Sequence, residues 1–171
     1  MAQSKSSEPI WLSVGWMFVG IEEVPGIKNN PVIMQWSKDI NSPSWYDNDD
    51  KAWCAVWMNR LMLACQLPMS GSGYELLRAK TFETWGQELK IPSLGAIMVF
   101  SRPEGNHVGI YLGERKDAYY ILGANQSNSV RCSWLKKDRL TSTRWATDVP
   151  IPKVGRVWLD DLGGRLSENE A

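Results

Sequence analysis

Histidine is the scarcest catalytic side chain in this sequence, because His107 is the only one among the 171 residues. There are three cysteines, Cys54, Cys65 and Cys132. They cannot all pair within the chain, and none stands in the Cys-x-x-Cys spacing typical of zinc and redox motifs. A disulfide framework is therefore not expected, and zinc bound by the three thiols and His107 is disfavoured. Any mechanism that combines a cysteine with a histidine must use His107.

An excess of charge of either sign is also missing. The 19 basic residues balance the 19 acidic ones, and the isoelectric point is about 6.6. Nucleic acids and anionic membrane surfaces are bound by basic patches, so neither is expected as a partner. Tryptophan, by contrast, is abundant, with ten residues. Most of these are expected in the core, and a few exposed ones would offer a platform for sugars or peptides.

No apolar run is long enough to span a bilayer. The longest candidate, residues 10–21, has twelve residues, whereas a transmembrane helix needs about twenty. Glu8 and Pro9 precede this run, Glu22-Glu23 follow it, and no small-x-small cleavage site is present, so it does not fit a signal peptide. We predict a buried first helix and synthesis in the cytoplasm without a Sec signal peptide.

The order of periodic segments predicts an α+β fold. The length favours one domain over residues 9–159, between a flexible N-terminus (1–8) and a flexible C-terminal tail (160–171). A helical pattern is followed by strand-like runs, which is typical of α+β proteins rather than of a βαβ repeat. Helices are predicted over about 9–23, from Asn30-Pro31 onward, over 51–65 and over 74–85, and strands over 96–100, 107–112, 118–122, 130–135 and 155–159.

Cys54 lies where an acidic loop turns into the third predicted helix. In the first turn of a helix, unpaired backbone amides and the positive end of the macrodipole favour a thiolate, so Cys54 is a candidate nucleophile. The alternative is a buried packing residue, which is the commoner role of cysteine in an apolar helix. Asp49 and Asp50 either cap this helix or oppose a negative sulfur.

His107 begins an apolar strand after the turn Gly105-Asn106, which would place its imidazole at the end of a sheet facing the preceding helices. It is a candidate base, with a structural histidine as the alternative. Asn125 follows a later strand, and in an antiparallel meander its side chain would reach the second imidazole nitrogen and hold the useful tautomer. Ordinary turn chemistry explains Asn125 equally well.

Four motifs occur in an order that resembles papain-like bacterial and phage cell-wall peptidases of the CHAP and NlpC type. They are Trp53-Cys54-Ala55, Gly95 to Phe100, His107 to Ile110 and Leu122 to Gln126. Glu23-Val24-Pro25-Gly26 and Asn30-Pro31 are similar to features of small single-domain members. The resemblance covers about residues 9–145. It departs at Ala96, where an acidic residue is common, and at Gly123, where many CHAP domains carry glutamate.

This resemblance implies a papain-like fold in which N-terminal helices pack on a small antiparallel sheet. It implies Cys54 as nucleophile, His107 as general base and then acid, and Asn125 as the residue that orients His107. The oxyanion would be met by the backbone amide of Cys54 and by a second donor, for which Asn48 and Tyr46 are candidates. The chemistry requires neither a metal nor an organic cofactor.

The implied substrates are the stem or cross-bridge peptides of peptidoglycan, cut by an endopeptidase or an amidase. The protein would act on the cell wall or periplasm after release or delivery, as an endolysin, a tail lysin or an antibacterial effector. A phage tail, a secretion machinery or an immunity protein are the corresponding partners. Two alternatives remain open, namely a non-catalytic wall- or carbohydrate-binding protein of the same fold and a papain-like acyltransferase or isopeptidase acting on a protein partner.

Overall fold

The computed structural model describes residues 8–153 and 155–167, with helices in the first half and an antiparallel sheet in the second. The predicted α+β class is thus observed. The helices are α1 (Ile10–Trp16), α2 (Pro31–Asp39) and α3 (Cys54–Ala64), followed by 3₁₀ helices at Gly73–Leu77 and Ala79–Thr84. The strands are β1 (Gln87–Glu88), β2 (Ile97–Arg102), β3 (Gly105–Glu114), β4 (Ala118–Gln126), β5 (Ser129–Lys136) and β6 (Leu140–Trp145).

The helix boundaries follow local chemistry. Helix α2 starts as predicted, because the Asn30 side chain accepts a hydrogen bond from the backbone N–H of Val32 at 2.9 Å and Pro31 fits the first helical position. Helix α1 is shorter than predicted and gives way to turns after Trp16. The single helix predicted over 74–85 is instead two 3₁₀ helices, because Arg78 between them is extended.

The sheet has the order β1-β6-β2-β3-β4-β5, with every neighbouring pair antiparallel. Strand β6 was not predicted, because its sequence LTSTRW carries too few apolar residues to show an alternation. The predicted strand over 155–159 makes only an isolated bridge, between Trp158 and Glu114. Strand β3 is already paired along most of its length with β2 and β4, so only its last residue, Glu114, forms a backbone bridge with this segment.

Helix α3 is central, in contact with α1, α2, β3 and β4. It is apolar on most sides, as expected for a helix surrounded by other elements. Among the described helices, none combines the length and hydropathy needed to cross a bilayer. The largest fully buried side chains include Trp11, Trp53, Trp57, Trp145, Tyr111 and Phe82, so most of the large aromatic volume is core, as predicted.

The C-terminal segment, predicted to be loose from residue 160, contacts the sheet through its described part. The backbone N–H of Ser167 donates to the carbonyl oxygen of Trp134 at 2.8 Å, and the Trp134 indole donates to the carbonyl oxygen of Gly163 at 3.2 Å. Residues 163–167 therefore cover part of the β5 edge. Residues 1–7 of the predicted flexible N-terminus and residues 168–171 of the tail lie outside the described residues.

Candidate active site

Cys54 is the first residue of α3, and its side chain is buried. The residue at the N-cap position, Trp53, makes no side-chain capping hydrogen bond. Asp49 does not cap this helix either, because its carboxylate accepts hydrogen bonds from the backbone N–H groups of Val24 at 3.2 Å and Asn30 at 2.7 Å. It thereby ties the loop before α2 to the loop before α3. No side chain therefore caps the first backbone N–H groups of α3, and those of Cys54 and Ala55 are directed at the sulfur.

The sulfur of Cys54 also meets β3. Burial raises the pKa of the Cys54 thiol, while the positive charge of Arg102 and then backbone hydrogen bonding from Val108, Ala55 and Cys54 itself act to lower it. Val108 directly follows His107 in the strand. The start of α3 therefore lies against the part of β3 that carries the only histidine of the sequence.

Burial nevertheless has the largest effect on this thiol and raises its pKa above the ordinary value. The sequence predicted the opposite direction from the position of Cys54 at a helix start. The difference arises because the helix dipole and a few amides are outweighed by the loss of hydration around the sulfur. Burial thus works against the thiolate form of Cys54.

The pH dependence of alkylation tests the protonation state of Cys54. We expect the rate of Cys54 modification by iodoacetamide to rise about tenfold per pH unit between pH 7 and 9, because only the thiolate reacts. Peptide mass spectrometry distinguishes Cys54 from Cys65 and Cys132. Arg102→Gln should lower the rate further, since the charge of Arg102 favours the thiolate. A rate that is already constant below pH 7 would instead indicate a preformed pair of thiolate and imidazolium.

His107 is fully buried in β3, and its Nε2 lies 3.1 Å from Oε1 of the buried Gln126. The amide nitrogen of Gln126 donates to the carbonyl oxygens of Ile121 at 3.3 Å and Arg131. These two bonds fix the amide so that its oxygen faces the imidazole. Because this oxygen only accepts, a neutral His107 carries its proton on Nε2 and its lone pair on Nδ1. This contact thus holds the ring in one tautomer.

The side chain that contacts Nε2 of His107 is that of Gln126, the residue directly after the predicted Asn125. Gly123 pairs with Arg131 and Gln126 pairs with Ser129, so β4 has one more residue between these pairs than β5 has. Strand β4 therefore contains a bulge here. Asn125 lies in the bulge with φ 58°, and its buried Oδ1 has no hydrogen-bond partner among the described residues. The bulge changes which residue of β4 faces the imidazole, and nothing in the sequence pattern distinguishes Gln126 from Asn125.

The two predicted oxyanion donors have different surroundings. Tyr46 is buried, and its pKa is raised, first by burial and then by the negative charge that a Cys54 thiolate would carry. Its hydroxyl donates to the carbonyl oxygen of Lys51 at 3.1 Å. Asn48 instead accepts a hydrogen bond from the backbone N–H of Asp50 at 3.1 Å, which is local turn chemistry. Of the two, the structure brings Tyr46 near the cysteine.

A cleft of about 320 Å³ gives access to Cys54. Residues of the two 3₁₀ helices line one part of it, and another part is lined by the end of β2, the β2–β3 turn and the start of β3, including Arg102, Glu104 and Asn106. A larger hollow of about 490 Å³ lies between α2 and the loop that follows it, and its lining includes Tyr46 but not Cys54. Over residues 8–153 and 155–167, no three His, Cys, Asp or Glu side chains converge as metal ligands.

A scan against protein-family models finds no match to this chain, and a search of the curated proteins finds no similar sequence.

Proposed function

We propose that this protein is a papain-like cysteine hydrolase that cleaves amide bonds in the peptides of bacterial peptidoglycan. One observation carries the proposal. A glutamine with both amide hydrogens occupied holds the only imidazole in one tautomer, on the strand that contacts the sulfur at the start of α3. A nucleophile, a base and a residue that orients the base are the three parts that covalent amide hydrolysis requires.

The reaction proceeds in two steps. Nδ1 of His107 accepts the thiol proton of Cys54 as the sulfur attacks the amide carbonyl, and the same proton is then passed to the leaving amine. The carbon–nitrogen bond breaks and leaves a thioester on Cys54. His107 next removes a proton from water, which attacks the thioester, and the proton returns to the thiol as the acid leaves. Because burial raises the pKa of the thiol, proton removal accompanies the attack.

The oxyanion of each tetrahedral intermediate is stabilised at the start of α3. The backbone N–H of Cys54 is one donor, as expected for a nucleophile in the first turn of a helix. The hydroxyl of Tyr46 is the second donor in this proposal, and it exchanges its bond to the carbonyl of Lys51 for one to the oxyanion. The raised pKa of Tyr46 keeps its proton available for donation.

The resemblance of the motifs to CHAP and NlpC peptidases supports the choice of peptidoglycan as substrate. Stem and cross-bridge peptides are both compatible with an open cleft over Cys54. The corresponding setting is a phage lysin or an antibacterial effector that reaches the wall after release or delivery. A phage tail, a secretion machinery or an immunity protein would then be its partner.

Digestion of purified sacculi tests the substrate class. We expect soluble muropeptides that carry one new free amino group and one new free carboxyl group per cut, identified by mass spectrometry. The position of the new amine decides between an amidase and an endopeptidase. Release of amines from a protein substrate while sacculi stay intact would replace the wall hydrolase with an isopeptidase.

An aromatic pair at the cleft favours a second candidate, a carbohydrate-binding wall protein that does not cleave. Trp45 is 50% exposed and Tyr74 is 57% exposed, and their ring centroids lie 5.9 Å apart. Tyr74 also lines the cleft over Cys54. Exposed aromatic rings of this kind stack on sugars. This candidate would be favoured if the wild type bound sacculi without releasing soluble fragments and Trp45→Ala no longer bound them.

Gly123 provides the space in which the imidazole and the glutamine meet. A Cβ at this position would lie 2.8 Å from Oε1 of Gln126 and 3.1 Å from Nε2 of His107. We therefore expect Gly123→Ala to lower kcat for muropeptide release by roughly 10- to 100-fold, because the orienting bond must shift. The melting temperature should fall as well, because the buried amide loses well-placed hydrogen bonds when it shifts, so kcat is measured below the onset of unfolding.

Gly163→Ala is the matched control for this substitution. A Cβ there meets no heavy atom within 4 Å, so activity and melting temperature should both stay at wild-type values. Full activity of Gly123→Ala would show that the contact between His107 and Gln126 does not orient the base.

A further inference from the structure

The cleft over Cys54 is positively charged, although the chain as a whole has no net charge. Arg78 and Lys80 line the wall formed by the 3₁₀ helices, and Arg102 lines the wall formed by β2. Glu104 is the one carboxylate among the lining residues of the cleft. A cleft with such a charge balance attracts an anionic ligand, and its walls concentrate the field.

Two of these cations have defined interactions in the cleft. The charge of Arg102 acts to lower the pKa of the Cys54 thiol, against the larger effect of burial. The guanidinium of Arg78 packs over the ring of the exposed Tyr74, with 5.6 Å between Cζ and the ring centroid. This packing holds a long side chain in place on the cleft wall, so less entropy is lost when it binds an anion.

We propose that this cleft selects a peptide with a free carboxylate next to the scissile amide, bound by Arg78 and Lys80 while Arg102 faces the reacting centre. The inference rests on the proposed hydrolase function and specifies its substrate. Guanidinium groups bind carboxylates through paired, charge-assisted hydrogen bonds, whereas the corresponding carboxamide has no charge to offer. Glu104 disfavours an anion on the turn side and so restricts the orientation of the peptide.

Binding measurements on Cys54→Ala test this inference without turnover. The probes are two synthetic peptides that differ only in a free carboxylate or a carboxamide beside the amide bond that would be cut. We expect isothermal titration to give an about tenfold lower Kd for the free acid at 50 mM salt, with most of this preference lost at 500 mM salt. Equal affinity for the two peptides, or no binding of either, would overturn the proposal.

Variants that each remove one positive charge then show which side chains produce the preference for the acid. Arg78→Gln and Lys80→Gln, at two exposed positions, should each reduce the ratio of the affinity for the acid to the affinity for the carboxamide. Lys116→Gln, on the turn between β3 and β4, is the matched control and should keep the full preference.

If the wild type cleaves both peptides equally well, the hydrolase function stands and the carboxylate preference falls. If it cleaves neither but binds the acid selectively, the preference stands and the hydrolase function falls.

Discussion

Cys54→Ala is expected to abolish muropeptide release, with a loss of roughly 10⁴-fold or more, because the attacking atom is removed and no thioester can form. The fold should persist. Cys54 is a small buried side chain, alanine fills most of its volume, and the rest of α3 keeps its contacts with α1, α2, β3 and β4. The measurements are the rate of release from sacculi and the melting temperature of the same preparation.

The other two cysteines provide matched controls. Cys65, at the end of α3, and Cys132, in β5, are half-buried free thiols, and neither lines the cleft over Cys54. Cys65→Ala and Cys132→Ala should therefore release muropeptides at the wild-type rate. Clearing of sacculi by Cys54→Ala at the wild-type rate would remove Cys54 from the mechanism and leave the binding-protein alternative.

His107→Gln is expected to cause a loss as large as that of Cys54→Ala, because it removes the only imidazole of the sequence. The double variant should be no slower than either single one, since a nucleophile and its base act as a unit. Glutamine is preferable to alanine here. His107 is fully buried and donates to Gln126, so alanine would leave a cavity and a buried acceptor without a donor.

The residue that orients His107 is tested by comparing two neighbours. Gln126→Leu should slow the reaction strongly, because the ring then loses the acceptor that holds its Nε2 proton. Asn125→Gly, which suits the positive φ at this position, should slow it much less. The reverse order would restore the role that the sequence predicted for Asn125.

Patterns with a local physical cause were predictable from the sequence. The helix that begins at Asn30-Pro31 has its capping bond, and the helix start at Cys54 depends on an apolar segment that follows a turn-rich loop. Strands β3 and β4 are apolar runs between turns and were also predicted. Each of these features depends on residues that are near one another in the sequence.

The features that were not predicted depend on tertiary contacts. Strand β6 is polar, and it forms because β1 and β2 supply hydrogen-bonding partners on both sides. Gln126 faces His107 because a bulge shifts the alternation of β4 by one residue. The pKa of Cys54 is raised because helices and strands surround the sulfur, and the position of a residue in its own helix does not reveal such burial.

The most direct test of the central claim relates activity to the modification of Cys54. Samples alkylated to different extents with iodoacetamide are analysed by peptide mass spectrometry and assayed for release of muropeptides from sacculi. We expect the remaining activity to be proportional to the fraction of unmodified Cys54 and to reach zero when all of Cys54 is modified. Activity that persists when Cys54 is fully alkylated would contradict a mechanism in which this sulfur attacks the substrate.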